Sequence, residues 1–380
     1  MDSFAAHLIE ALSPPNYHAG NFYLEKNFML SGQGRTFAVL LSLQVFITPV
    51  SAMLIRSYDG TSNNQANPAW GSTDSALLRV GPTAYADGLS EPRGGLPSSL
   101  PSARSVSQAV SSQSTSTRNR RGASDWLWQW GQFLDHDLDL TGHSSNASEA
   151  FNVPVPLGDP SFDPWHSGTQ VIPLQRSHHV VDQNGVRQQT NEITAYIDAS
   201  NVYGSDDTRA NLLRENEKYL RMTVGATGEI LLGQNTLNAP NENGGSPNNA
   251  AFFLAGDVRA NEQVGLTAVH TLFAREHNRL VDELKSRLDT GDANLIAERD
   301  ATIAMAGNNV GNENEFLYEA ARKIVGAQIH KITYGEFLPV LVGADLTSMY
   351  SGYDADMNAV IRNDVSTAAF RLGSTMLASK

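Results

Sequence analysis

Between Asn261 and Leu288 the chain reads NEQVGLTAVHTLFAREHNRLVDELKSRL, with apolar residues at 264, 266, 269, 272, 273, 280, 281 and 284. This spacing follows the turn of an α-helix, and a helix of this length has to bury its apolar stripe against other elements. NEFLYEAARKIVGAQIHKITYGEFLPVLVG (314–343) repeats the pattern. SDWLWQWGQFLDHDLDLT (124–141) opens on Ser124, a capping residue type, and carries apolar residues at 126, 127, 130, 133, 134 and 138. In DDTRANLLRENEKYLRM (206–222) an Asp pair leads into Leu212, Leu213 and Leu220, which predicts a short amphipathic helix. Residues 56–122 and 143–192 are rich in turn formers, with an extended bias around TQVIPLQRS, and 233–250 is a polar Gly/Asn loop. No repeat and no clean linker divides the chain. The expectation is a mainly α fold: one large helical domain with long irregular loops and little β.

The chain of 380 residues is 41% hydrophobic and 18% charged, enough apolar material for a sizeable core. A net charge of −13 leaves no basic surface for phosphates, which argues against nucleic acid or an anionic membrane as partner. There is no cysteine, so disulfides, thiolate zinc sites, iron–sulfur clusters and cysteine nucleophiles are all excluded. GRTFAVLLSLQVFITPVSA (34–52) has one basic residue, an apolar run and the small-residue ending Val50-Ser51-Ala52. It reads as a secretory signal over 29–52, with Met29 as the true start and residues 1–28 an extension. A buried strand or core helix of a cytosolic protein is the alternative, and the run is too short for a membrane span. The domain then covers 53–380, the protein is secreted, and NAS at Asn146 is a glycosylation acceptor in a eukaryotic secretory pathway.

Three stretches concentrate chemistry. In WGQFLDHDLDL, a helix would place Gln132, Asp135, His136 and Asp139 on one face, with Asp137 turned aside and free for a cation. A satisfied core histidine with solvated neighbours explains the same residues, and metal hydrolases also pair His with Asp. In TAYIDAS, an extended loop would let oxygens of Thr194, Tyr196, Asp198 and Ser200 converge as Ca²⁺ requires, whereas a plain β-strand with alternating faces accounts for the same spacing without a site. In AGDVRANEQ, Arg259 could stabilise developing negative charge and Glu262 suits a first helical turn; a surface salt bridge is the simpler reading.

Taken in order, these stretches resemble the animal haem peroxidase family. IRSYDGTSNN, VGPTAYADGLSEPR, WGQFLDHDLDLT, TAYIDASNVYGS, FFLAGDVRANE, LTAVHTLFAREHNRLVDELK, EAARKIVGAQIHKITYGEFLPVLVG and AFRLG carry the resemblance from about residue 56 to 373. It implies that His136 is the distal acid–base group, taking a proton from peroxide's inner oxygen and returning it to the departing one. Arg259 would stabilise the charge of O–O cleavage, and Gln132 would orient water or a halide in the distal pocket. The cofactor implied is haem b, ester-linked through Asp135 and Glu262, with Arg371 facing a haem propionate. Asp137, Thr194, Tyr196, Asp198 and Ser200 match the family's Ca²⁺ site. The substrates implied are hydrogen peroxide and a small phenolic or halide electron donor.

Two positions depart from the pattern. Gln263 stands where some members have a methionine that forms a third haem link. Ser374 stands where the family has its proximal histidine, and a hydroxyl is a poorer axial ligand than imidazole. The sequence ends six residues later, without the asparagine that hydrogen-bonds that histidine. Truncation explains both features; the alternative function is a non-catalytic pseudoperoxidase or gene fragment that binds calcium and haem. A metal hydrolase built on His136 and Asp137 lacks further ligands at suitable spacing. His270, His277 and His330 fall on other helices, where packing or hydrogen bonding accounts for them.

Overall fold

A computed structural model of the chain describes residues 52–93, 100–115, 117, 119–144, 146–242, 251–343 and 352–376. The apolar run expected to be a signal peptide lies outside these residues, apart from Ala52. Among the described residues no helix is long and apolar enough to cross a membrane. Met53 is already part of the core: it is buried, and its N–H donates to Thr302 Oγ1 at 2.9 Å.

The helices are α1 (Ala103–Ser111), α2 (Trp126–Asp135), α3 (Ser200–Tyr203), α4 (Asp207–Leu213), α5 (Val264–Asp289), α6 (Ala293–Ala304), α7 (Glu313–Ile332), α8 (Leu338–Leu341) and α9 (Asn363–Thr367). The described strands form five short antiparallel ribbons. They are β1 (Ser75–Ala76), β2 (Val153–Pro154), β3 (Val171–Ile172), β4 (Val180–Val181), β5 (Arg187–Gln188), β6 (Thr190–Asn191), β7 (Arg214–Glu215), β8 (Tyr219–Leu220), β9 (Met222–Val224) and β10 (Ile230–Leu232). They pair β1 with β6, β2 with β3, β4 with β5, β7 with β8 and β9 with β10, so the fold is mainly helical, as the periodicity predicts.

The core is built where α5 meets α7. Leu266, Val269, Phe273, Leu280, Val281 and Leu284 of α5 lie in one buried cluster with Phe316, Leu317, Ala320, Ala321, Ile324 and Val325 of α7. Each large side chain fully buried there contributes about 1.5–3 kcal/mol relative to exposure. Helix α2 joins this core through Phe133, stacked on Phe273 with ring centroids 5.2 Å apart. The α5 stripe is narrower than its apolar composition suggests. Val264 and Leu272 are exposed, because a stripe through 266, 269, 270, 273, 277, 280, 281, 284 and 288 leaves them off-face, and His270 and His277 take core positions instead.

Several boundaries differ from the sequence reading, each for a local reason. Asp125, not Ser124, occupies the N-cap of α2, and no side chain caps it. The helix expected over 206–222 stops at Leu213, because Asn216 and Glu217 adopt positive φ in the tight turn joining β7 to β8, where Leu220 belongs. Helix α7 runs into a π turn over Thr333–Phe337 before α8. Pro339 lies just beyond and has no N–H to continue the ladder to Gly335.

Candidate functional site

Helix α2 proper ends at Asp135, with His136 as its C-cap. The helical hydrogen bonding is prolonged, however, by His136 N–H to Gln132 O (3.1 Å) and Asp139 N–H to Asp135 O (2.9 Å). Asp139 therefore follows in the turn after the helix, one hydrogen-bonded turn beyond Asp135. Asp135, His136, Asp137 and Asp139 are all buried. Burial pushes the Asp135 carboxyl up to about 6. The turn is pinned from β6, where Asn191 accepts from Leu140 N–H and donates to Leu138 O.

The second wall comes from the segment before α5. Gly256 passes so close to α3 that an added Cβ would lie 2.4 Å from Ser200 O and 2.6 Å from Gly204 N. That approach delivers Asp257 and Arg259. Arg259 is buried, giving Nε and Nη2 to the Asp257 carboxylate (Nη2 at 2.8 Å) and Nη1 to Asp139 O at 3.0 Å. Three of the five guanidinium N–H donors are thereby used, and two remain for a ligand. Asp257 Oδ1 also lies 3.3 Å from His136 Nδ1, although that contact falls short of hydrogen-bond alignment. Burial acts to raise the Asp257 pKa, but Arg259 and His136 outweigh it and hold the carboxyl far below its usual range.

Gln132 and Glu262, distant in sequence, are joined by a 2.6 Å bond from Gln132 Nε2 to Glu262 Oε2. Gln263 caps α5 by accepting Gly265 N–H through Oε1, while its Nε2 donates to Gln129 Oε1 and Gln132 Oε1. An amide lattice thus binds α2 to the start of α5 at the position where a methionine would offer only sulfur. A 3₁₀ segment, Ala369–Met376, also packs against α2 and includes position 374. Its Arg371 is more than half exposed, with Nη2 3.8 Å from Asp139 Oδ2, which also accepts Ser366 Oγ at 2.7 Å.

The TAYIDAS segment is neither strand nor extended loop. It bends, and Ala199 sits in the left-handed region with φ 65° ahead of α3. The bend gathers oxygens. Thr194 Oγ1 donates to Asp198 Oδ2 at 3.0 Å, Ser200 Oγ donates to Asp137 Oδ1 at 3.0 Å, and Asp137 also accepts Ala199 and Asn201 N–H. Tyr196 contributes no side-chain oxygen, since its hydroxyl reaches Trp70 O at 2.6 Å. Burial raises the pKa of Asp137, and the neighbouring Asp198 raises it further; burial raises Asp198 too. Two buried carboxylates that resist ionising together form a donor set suited to a hard cation.

Sequence reasoning singled out His136, Arg259, Asp135, Gln132 and Glu262, and these fall on two facing walls. It passed over Asp257, Asn201 and Gln129. Asp257 stands two residues before Arg259 within AGDVRANEQ, but nothing local in the sequence ties it to His136. A groove of about 660 Å³ lined by Trp126, Leu127, Trp130, Leu272, Phe273 and Phe337 lies elsewhere on α2, and none of the expected site residues lines it.

The sequence profile described as animal haem peroxidase matches residues 55–380. Peroxidasin homolog pxn-1 of Caenorhabditis elegans is 34% identical over 366 residues, covering 85% of this chain and 27% of that protein. The human peroxidasin homolog is 36% identical over 362 residues, covering 85% and 23%, and peroxidase mlt-7 of C. elegans is 32% identical, covering 86% and 42%. Among solved structures, peroxidase A from Dictyostelium discoideum matches with TM-score 0.69 at 28% identity, covering 85% of this chain and 60% of that one. A fatty acid alpha-dioxygenase from Arabidopsis thaliana, at TM-score 0.53 and 20% identity, shares the fold. The chain belongs to the animal haem peroxidase family. It spans about a quarter of the length of the peroxidasins it matches.

Proposed function

We propose that this chain is a secreted, calcium-stabilised haem peroxidase domain that uses hydrogen peroxide to oxidise a small phenolic or halide donor. The observation that carries this reading is the convergence of buried His136 and Arg259 on one carboxylate beside Asp135. Haem, when bound, supplies the iron at which the O–O bond breaks and the store of oxidising equivalents. The chain's own groups do the rest. His136 Nε2 takes the proton from peroxide and returns it to the departing oxygen. The free Arg259 donors face the charge that develops on oxygen, within a site poorly screened by water. Asp135 and Glu262 would carry the ester links, and Gln132 donates to Glu262 and so holds it toward α2. Asp137, Asp198, Thr194 and Ser200, with the Tyr196 carbonyl, hold Ca²⁺ and so fix the turn that carries His136.

Ser374 favours a second reading, in which the chain is a non-catalytic pseudoperoxidase that binds calcium and haem without turning over peroxide. The absorption spectrum of the full chain with calcium and haem, before and after peroxide, separates the two. A sharp Soret band that shifts on peroxide and recovers with a phenol supports the peroxidase. A spectrum equal to that of free haem overturns it for this chain. Ser374→His is expected to sharpen the band and raise haem affinity at least tenfold, because imidazole is the stronger axial donor. An unchanged spectrum in that variant would mean that position 374 does not face the iron.

A further inference from the structure

We infer that Asp257 is a positioning residue whose single carboxylate fixes both the tautomer of His136 and the orientation of Arg259. The inference takes its chemical purpose from the peroxidase reading, but its test does not depend on haem.

A neutral imidazole carries one N–H, and the partner of one nitrogen decides which nitrogen keeps it. To act as a base through Nε2, His136 has to hold its proton on Nδ1. Free imidazole side chains prefer the opposite form, so the site needs an acceptor facing Nδ1. Asp257 Oδ1 is that acceptor at 3.3 Å, and His136 Nδ1 has no other hydrogen-bond partner. The contact is long and off-axis here, as such bonds often are without bound substrate.

The carboxylate is well suited to the task. Its side chain is 1% exposed, and Arg259 N–H, Nε and Nη2 all donate to it, at 2.7 Å from the backbone and 2.8 Å from Nη2. It therefore stays ionised and accepts only. Its backbone is held as well: Asp257 N–H donates to Asn201 O at 2.9 Å, and Asn201 Nδ2 reaches Phe133 O in the last turn of α2 at 2.7 Å. Asp257 and the end of α2 are thus anchored to one residue of α3. The oxygen nearest the imidazole, Oδ1, also accepts Arg259 N–H at 2.7 Å, so one atom ties the arginine and the histidine together.

The test is nuclear magnetic resonance of the full chain labelled with ¹⁵N-histidine, with calcium present and haem absent. His136 is assigned by the signals lost in His136→Gln. The wild type is expected to show His136 protonated at Nδ1 and bare at Nε2. Asp257→Asn, which keeps the size and one acceptor for the Arg259 N–H, is expected to move the proton to Nε2 or to give a mixture. Asp257→Glu is expected to restore the wild-type form. Once haem is bound, Asp257→Asn should slow the reaction with peroxide about 100-fold, the scale of one positioned acid–base group. A wild-type His136 protonated at Nε2, or a tautomer unchanged in Asp257→Asn, would overturn the inference. Should Asp257→Asn fail to fold, the wild-type and Asp257→Glu spectra still decide. Should the chain bind no haem, the tautomer result stands while the peroxidase reading falls.

Discussion

His270 and His277 sit in the buried stripe of α5, where most helices place leucine. His277 is fully enclosed, bonded to the Tyr203 hydroxyl at 2.9 Å and to Lys218 O at 3.0 Å. His270 packs edge-on to Phe133 with 5.0 Å between centroids, and neither of its nitrogens has a hydrogen-bond partner. Burial pushes both imidazoles down to about 3 from an ordinary 6.5. The fold therefore holds them neutral, while an unfolded chain would bind a proton at each below about pH 6.5. Their contribution is complete above that value and is lost as pH falls toward 3, at about 1.4 kcal/mol per pH unit for each histidine. Urea midpoints between pH 7.5 and 4.5 should fall accordingly. His270→Leu forfeits no hydrogen bond, so it should keep stability at pH 7.5 within about 1.5 kcal/mol and flatten the acid slope by one histidine's worth. An unchanged slope would place the acid lability elsewhere.

At the level of elements, the site depends on the close passage of Gly256 over α3. Every atom that an added Cβ would meet within 2.6 Å belongs to backbone, so neither side can yield by a rotamer change. Gly256→Ala should cost about 3 kcal/mol or more in thermal or urea denaturation, by the usual scale of overpacking. It should also withdraw Asp257 from His136. A loss below about 1 kcal/mol would show that the crossing can open. This crossing also marks the limit of what sequence conveys. The α5 and α7 periodicities announce the core because they are local and repeat, and FFLAGDVRANE announces Arg259 because the pattern is contiguous. Asp257 acting on His136, 121 positions away, has no local period, and Gln129 meets Gln263 only because α2 crosses the start of α5. The bend in TAYIDAS was equally hidden, because alternating residues suit a strand until Ala199 turns left-handed.

For the molecule as a whole, the oxygen cluster around Asp137 and Asp198 is the junction where separate parts of the chain meet. Asp137 follows α2, Thr194 and Asp198 precede α3, and Asn201 passes the connection on to Asp257. Arg322 of α7 contributes its charge near Asp198 and donates to Arg56 O and Ser57 O, which brings in the start of the domain. Two enclosed carboxylates without a cation repel one another, so the junction should be loose until Ca²⁺ arrives. Calcium at 100 times its dissociation constant adds about 2.7 kcal/mol, which for a domain of this size raises Tm by about 4 °C. Mg²⁺, which insists on compact octahedral geometry and keeps its waters, should do less. Asp198→Asn separates a cation site from a merely polar core. The amide still accepts from Thr194 and Ser200, so without calcium the variant should melt above the calcium-free wild type, having lost the repulsion. With calcium it should gain nothing, and its melting point should fall below that of the calcium-loaded wild type. If chelation leaves the wild-type Tm unmoved and Asp198→Asn only destabilises, then the cluster is an ordinary buried hydrogen-bond network, and His136 is held in place by protein contacts alone.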